Sequence, residues 1–148
     1  MIVGRFEEEW ESLTRKYEHG SFRYEDSSFS ARKIIISEFR NVQRQSKYGV
    51  YVIRQEATRE VLYIGKGGTI DQAGRFKNQD IPNRLANVKG SNLPADIWFS
   101  GLVKEKGPLV IEYVFLASTP ESPGLIESFL LQAYLNKLGC LPYRNNAL

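Results

Sequence analysis

Tyr48-Gly49-Val50-Tyr51-Val52-Ile53 and Val61-Leu62-Tyr63-Ile64-Gly65-Lys66 are two β-branched and aromatic runs, joined by the polar stretch Arg54 to Glu60. Runs of this composition separated by a short polar loop read as the two strands of a hairpin. A turn centred near Ala57 puts Tyr51 directly across from Tyr63, and directly opposed residues project to the same face. Two phenols would then stand side by side. Gly49 and Gly65 would leave the backbone uncovered at the ends of the pair, and Lys66 would emerge where the second strand stops.

Outward from the hairpin, the 148-residue chain is long enough for one domain with a substantial core. An apolar fraction of 42% and a charged fraction of 25% are those of an ordinary globular protein. No apolar run approaches the ~20 residues that span a bilayer, and Glu7, Glu8 and Glu9 stand where a signal peptide needs an apolar core. A single cysteine, Cys140, excludes an internal disulfide and a cysteine-rich zinc site, and is expected to be a small buried residue. An intracellular (cytoplasmic) protein is the expectation. The net charge is only +3, but between residues 47 and 94 the basic residues exceed the acidic by four, which fits a polyanionic partner such as DNA.

Phe6, Trp10, Leu13 and Tyr17 recur at helical spacing before Gly20, and residues 20 to 30 read as a loop. Residues 31 to 44 fit a short strand or a buried helix, with helix preferred. Residues 1–46 are thus expected to be an N-terminal helical extension packed on a core of residues 47–148. His19, the only histidine, reads as a surface residue at a helix end. Gly65-Lys66-Gly67-Gly68-Thr69 lacks the spacing of a phosphate-binding P-loop, and residues 69 to 78 read as an insertion loop.

Residues 80 to 89 predict a short helix capped by Asp80, with Pro82 in its first turn, Gly90 at its end, and Ile81, Leu85 and Val88 as its buried stripe. A further helix is expected over 92–106, burying Ile97, Trp98 and Leu102, and a strand over 109–118 with Glu112 at its exposed edge or paired. Residues 122 to 138 form a last helix, with Pro123 in the first turn and Gly139 as C-cap. Ser128, Gln132 and Asn136 form its polar stripe. Glu127 instead lines up with Leu131, Tyr134, Leu135 and Leu138. A carboxylate on a buried face costs several kcal/mol unless paired, protonated or bound to a metal. The alternative is that Glu127 favours the positive end of the helix dipole and reaches solvent, worth only ~0.3–1 kcal/mol. The expected fold class is α/β (α+β), a small three-stranded antiparallel sheet covered by helices.

Gly49-Val50-Tyr51 followed by Tyr63-Ile64-Gly65-Lys66 resembles the paired signature of the GIY-YIG nuclease superfamily, with Val in place of the first Ile. The likeness extends from about residue 47 to residue 146. It implies that Arg84, followed by Leu85, contacts the scissile phosphate, with Arg75 as rival because the usual spacing is shorter. It implies that Glu127 holds a divalent cation, Mg²⁺ or Mn²⁺, and that Pro142 with Asn145, or the adjacent Asn146, orders the site. By the same likeness Tyr63, or a water activated by it, is the general base, Tyr51 tunes its proton, and Lys66 and Arg84 neutralise charge on the phosphate. The implied activity is hydrolysis of a phosphodiester in DNA.

One departure is Val88, where many members carry His or Tyr. A phenol with a reference pKa of ~10 is a poor base unless positive charge depresses it. Two other classes therefore stand beside the enzyme: a non-cleaving nucleic-acid-binding module and a protein-interaction domain. Specificity would come from residues 69 to 78, from a homodimer, or from a partner subunit.

Overall fold

A computed structural model describes residues 4–26, 29–87 and 94–148. It has eleven elements. They are α1 (Phe6–Lys16), β1 (His19–Tyr24), α2 (Ala31–Arg40), β2 (Gly49–Gln55), β3 (Val61–Gly67), β4 (Thr69–Ile70), β5 (Phe76–Lys77), α3 (Ile81–Ala86), α4 (Ala95–Lys106), β6 (Leu109–Phe115) and α5 (Pro123–Leu138). Four strands form one antiparallel sheet in the order β1-β6-β2-β3, and β4 pairs with β5 as a separate ribbon. No helix among the described residues is long and apolar enough to cross a membrane.

The sheet is covered on both faces, as the nearly unbroken apolar run of β2 requires. Side chains alternate along a strand, so Val50 and Val52 pack with Phe6, Trp10 and Leu13 of α1 and with Ile126, Leu130 and Tyr134 of α5. Tyr51 and Ile53 face the other way, into a core built from α2, α3 and α4 through Ile35, Phe39, Ile81, Leu85, Trp98 and Leu102. Arg54 is the buried charge in this interior. Its guanidinium reaches Glu112 on β6 at 2.8 Å and Glu7 on α1 at 2.7 Å, and Arg59 meets the same Glu112 at 2.6 Å. Glu112 is therefore paired rather than set on an exposed edge.

The mixed α+β class is as expected, but the sheet has four strands, not three. Residues 19 to 24, read as helix end and loop, are the edge strand β1, hydrogen-bonded along β6. The N-terminal segment is thus not purely helical, and His19 opens a strand instead of ending a helix. Residues 31 to 40 are helical, with Ser30 capping through its hydroxyl. Ile97 and Leu138 prove exposed, and so does Cys140. The end of the helix expected at 87–90, including Val88, lies outside the described residues.

The hairpin forms, with a different register. Tyr51 pairs with Gly65 and Tyr63 pairs with Ile53, two residues from the expected alignment, and the register shifts again at Ile53/Arg54. The loop causes this. Arg59 adopts φ +67°, and Gln55 N donates to Glu60 O, so the turn closes later than a turn centred on Ala57.

Candidate active site

The site is built around the outer edge of β3. Tyr51 and Tyr63 lie on the same face but diagonally, with ring centroids 6.1 Å apart and planes inclined at 30°. The residue opposite Tyr51 is Gly65, and the missing side chain is what admits the phenol. A Cβ there would lie 2.5 Å from both Cζ and Oη of Tyr51 and 2.8 Å from Cε1 of Tyr63. Gly49 is equally enclosed, since its Cβ would meet Val114 O, so neither glycine leaves the backbone uncovered.

The two phenols are not equivalent. Tyr51 is 1% exposed and only Tyr63 reaches solvent. Burial pushes the Tyr51 hydroxyl well above its ordinary value, Tyr63 and Glu127 add to the rise, and Arg84 opposes it. Burial also raises Tyr63, against the pull of Arg84. Each phenol also bears on the other's titration, Tyr63 raising Tyr51 and Tyr51 lowering Tyr63. Both groups are neutral at pH 7, so Tyr63 is a hydrogen-bonding group there and not a ready proton acceptor.

Arg84 comes from α3, whose start is drawn tightly onto β3. Ile81 N donates to Lys47 O at 2.9 Å, Asp80 caps the helix by accepting from Asn83 N, and a Cβ on Gly67 would lie 2.3 Å from Ile81 N. With Ile81 and Leu85 fully buried, Arg84 is held at the helix margin, half-buried. Lys66 pairs with Val50 in the register, so it leaves β3 on the side that faces α5. A Cβ on Gly124 of α5 would stand 3.5 Å from its Nζ. Glu127 follows one turn later on α5. Burial raises its carboxyl above the usual carboxylate range, while Lys66 and then Arg84 pull it back.

Among the described residues Glu127, Lys66 and Arg84 form no side-chain hydrogen bond or ion pair with one another or with any other group. Half-buried charges normally find partners. These three lie near enough for Lys66 and Arg84 to attract the Glu127 carboxylate, without a contact-distance ion pair among the described residues. A cavity of about 420 Å³ opens beside Lys66 and Arg84, lined also by Gly68, Thr69, Asn78 and Gln79. A second, of about 240 Å³, lies beside Tyr63 and Glu127 with Trp98, Ser128 and Asn145.

Asn145 works on the backbone. Its Oδ1 accepts from Ile64 N at 2.9 Å and its Nδ2 donates to Ile64 O at 2.9 Å, while Arg144 N donates to Leu62 O at 2.8 Å. One side chain thus supplies the donor and acceptor of an absent neighbouring strand, between Tyr63 and Gly65. Asn146 lines the second cavity without this pairing. Arg75 lies outside the site: its side chain is 79% exposed and faces Asp71 at 3.7 Å. The structure so brings Tyr51, Tyr63, Lys66, Arg84, Glu127 and Asn145 to one edge. Thr69 and Asn78, the ends of the segment expected to supply specificity, line the first cavity, and Gln79 beside them carries no signal of its own in the sequence. Searches against protein-family models, curated proteins and solved structures find no match to this chain.

Proposed function

We propose that this chain is a metal-dependent endonuclease that hydrolyses a phosphodiester bond in DNA, in the manner of the GIY-YIG nucleases its hairpin resembles. The observation that carries the reading is the half-buried carboxylate of Glu127 and two cations, Lys66 and Arg84, with no contact-distance ion pair among the described residues, beside the adjoining rings of Tyr51 and Tyr63. A phosphate satisfies the cations, and a hard divalent cation satisfies the carboxylate.

The donor set fits Mg²⁺ or Mn²⁺. Among the described residues no group of three or more His, Cys, Asp or Glu could hold a metal. Mg²⁺, however, keeps several waters and is commonly bound through one or two carboxylates plus substrate phosphates. Glu127 would be the protein ligand, and the bound cation would supply Lewis-acid stabilisation of the phosphoryl and departing oxygens. Arg84 and Lys66 neutralise charge that develops on the non-bridging oxygens as a water oxygen adds to phosphorus and the bond to one sugar oxygen breaks. The Tyr63 hydroxyl, held beside the buried Tyr51, donates to a phosphate oxygen or holds the attacking water. Asn145 fixes the strand that carries it.

A second reading has its own support: with both phenols raised, neither tyrosine is poised as a base near pH 7, as befits a nucleic-acid-binding module that does not cleave. Supercoiled plasmid incubated with the protein and Mg²⁺ or Mn²⁺, beside Glu127→Ala and an EDTA control, separates them. Nicking by wild type with metal, and in neither control, is expected. Salt-sensitive binding without nicking, unchanged in Glu127→Ala, would favour the binding module, and absence of both would overturn the nucleic-acid reading.

A further inference from the structure

The segment expected to be an insertion loop is a folded ribbon fastened to the body of the protein beside the candidate site. Thr69 pairs with Lys77 and Ile70 with Phe76. The turn between them is closed by Asp71 N donating to Arg75 O at 2.8 Å and by Asp71 Oδ1 accepting from Ala73 N and Arg75 N, both at 2.9 Å. Gly74 takes φ +79°, the left-handed conformation this tip needs. At the base, Phe76 stacks on Tyr48 with centroids 4.3 Å apart and planes 8° from parallel. Tyr48 immediately precedes β2 and lies against Gly68. Ribbon and hairpin therefore share one aromatic joint.

Alternation along the ribbon separates its two faces. Ile70 and Phe76 share the face that stacks on Tyr48, so Thr69 and Lys77 share the opposite one, and Thr69 lines the cavity that holds Lys66 and Arg84. Lys77 is exposed and has no ion pair among the described residues. At the tip Gln72 and Arg75 are exposed, Arg75 Nε standing 3.7 Å from Asp71 Oδ2, while Asp71 Oδ1 closes the turn and Asp80 caps α3. The ribbon thus shows the outside a polar surface that carries Lys77 and the Asp71-paired Arg75 and adjoins the cavity of Lys66 and Arg84. The buried Oε1 of Gln79, at the foot of the ribbon, has no hydrogen-bond partner among the described residues.

Resting on the nuclease reading above, we propose that the 69–77 ribbon is the arm that engages duplex DNA beside the cleaved bond. Lys77 contacts a phosphate flanking the one held by Lys66 and Arg84. The tip, through Gln72 and Arg75, lies in the groove, where an arginine fork or a glutamine amide reads base edges.

Fluorescence anisotropy of short labelled duplexes in EDTA, over a range of salt concentrations, tests this with the doubly substituted Arg75→Ala/Lys77→Ala chain. Lys104→Ala/Lys137→Ala, which removes the same charge from exposed positions elsewhere, is the control. The lost phosphate contact of Lys77 lowers the slope of log affinity against log salt by about 1, and loss of both side chains weakens binding on the order of 10-fold at moderate salt. The control pair is expected to leave both nearly unchanged. Single-turnover cleavage at saturating enzyme is expected to stay within about twofold of wild type, because the ribbon holds the substrate and does not touch the reacting atoms. If wild type binds and nicks but the ribbon pair binds as wild type does, or loses no more than the control pair, the ribbon assignment is overturned and the nuclease reading stands. If wild type neither binds nor nicks DNA, both fall.

Discussion

Replacing Asn145 with Ala tests whether one amide substitutes for a missing strand. The wild-type side chain makes two 2.9 Å hydrogen bonds to the backbone of Ile64, whose side chain is fully buried. A net contribution near 1 kcal/mol per hydrogen bond gives about 2 kcal/mol, rising towards ~4 kcal/mol if water does not reach the orphaned N–H and C=O. β3 is an edge strand, so water can approach, and the lower figure is expected. In a chain of this size about 2 kcal/mol corresponds to a fall in Tm of roughly 4–8 °C. Urea unfolding followed by circular dichroism should show the midpoint fall with the slope unchanged. Asn145→Asp sharpens the test, since it keeps the acceptor for Ile64 N but turns a second acceptor against Ile64 O. Its carboxyl should be raised in the folded state, so its stability is greatest in acid and is lost as pH rises through the unfolded and then the folded pKa. Loss of under about 0.5 kcal/mol for Asn145→Ala, or an Asn145→Asp protein as stable as wild type at pH 7, would refute the surrogate-strand argument.

Three further perturbations have directions set by the same geometry. Gly65→Ala forces a methyl group to 2.5 Å from the Tyr51 ring and should cost about 1–3 kcal/mol, separating the two phenols; urea unfolding and tyrosine absorbance report it. Glu127→Gln should raise Tm at pH 7 while lowering metal-dependent cleavage on the order of 100-fold or more, because the carboxyl is raised mainly by burial and its ionised form disfavours folding. The gain should vanish in acid, where Glu127 is protonated in both states, and a thermal melt series across pH checks the sign. Glu112→Gln should destabilise by about 3 kcal/mol, as one partner of the nearly buried Arg54 is lost. Burial pushes the Glu112 carboxyl up, but hydrogen bonds from Arg54 and Arg59 outweigh it and hold it low. Its contribution is thus present at neutral pH and fades as pH falls through that lowered value, and the substitution should cost little in strong acid.

How much was legible in the sequence depended on how locally each element is determined. α5 carries its own start and stop, Ser122 capping through its hydroxyl and Gly139 in the left-handed conformation, and its bounds were read almost to the residue. β1 carries no such marks. His19-Gly20-Ser21-Phe22-Arg23-Tyr24 buries only Phe22 and Tyr24 and becomes a strand because β6, some ninety positions away, offers an open edge. The ribbon of β4 and β5 was hidden for a similar reason: its two-residue strands are held by a stack on Tyr48, a contact no local pattern announces. Cys140 follows the end of α5 and was misjudged because small apolar residues are usually buried, whereas here the chain turns outward.

The error in the hairpin register shows why the site survived it. The observed alignment differs from the expected one by two residues, which moves partners along the strand and leaves every side chain on its own face. A slip of one would have turned Tyr63 towards α5 and Lys66 towards α3, and no tyrosine pair could form. The parity also explains why the edge strand is the support. Lys66 and Glu127 come from the α5 side, while Tyr51, Tyr63 and Arg84 come from the side that α3 covers. At an unpaired edge, groups from opposite faces of a sheet can act on one ligand, because no added strand stands between them. Asn145 reconciles the two demands on β3: with Arg144 N closing on Leu62 O, it satisfies the Ile64 backbone with a single side chain and no added strand.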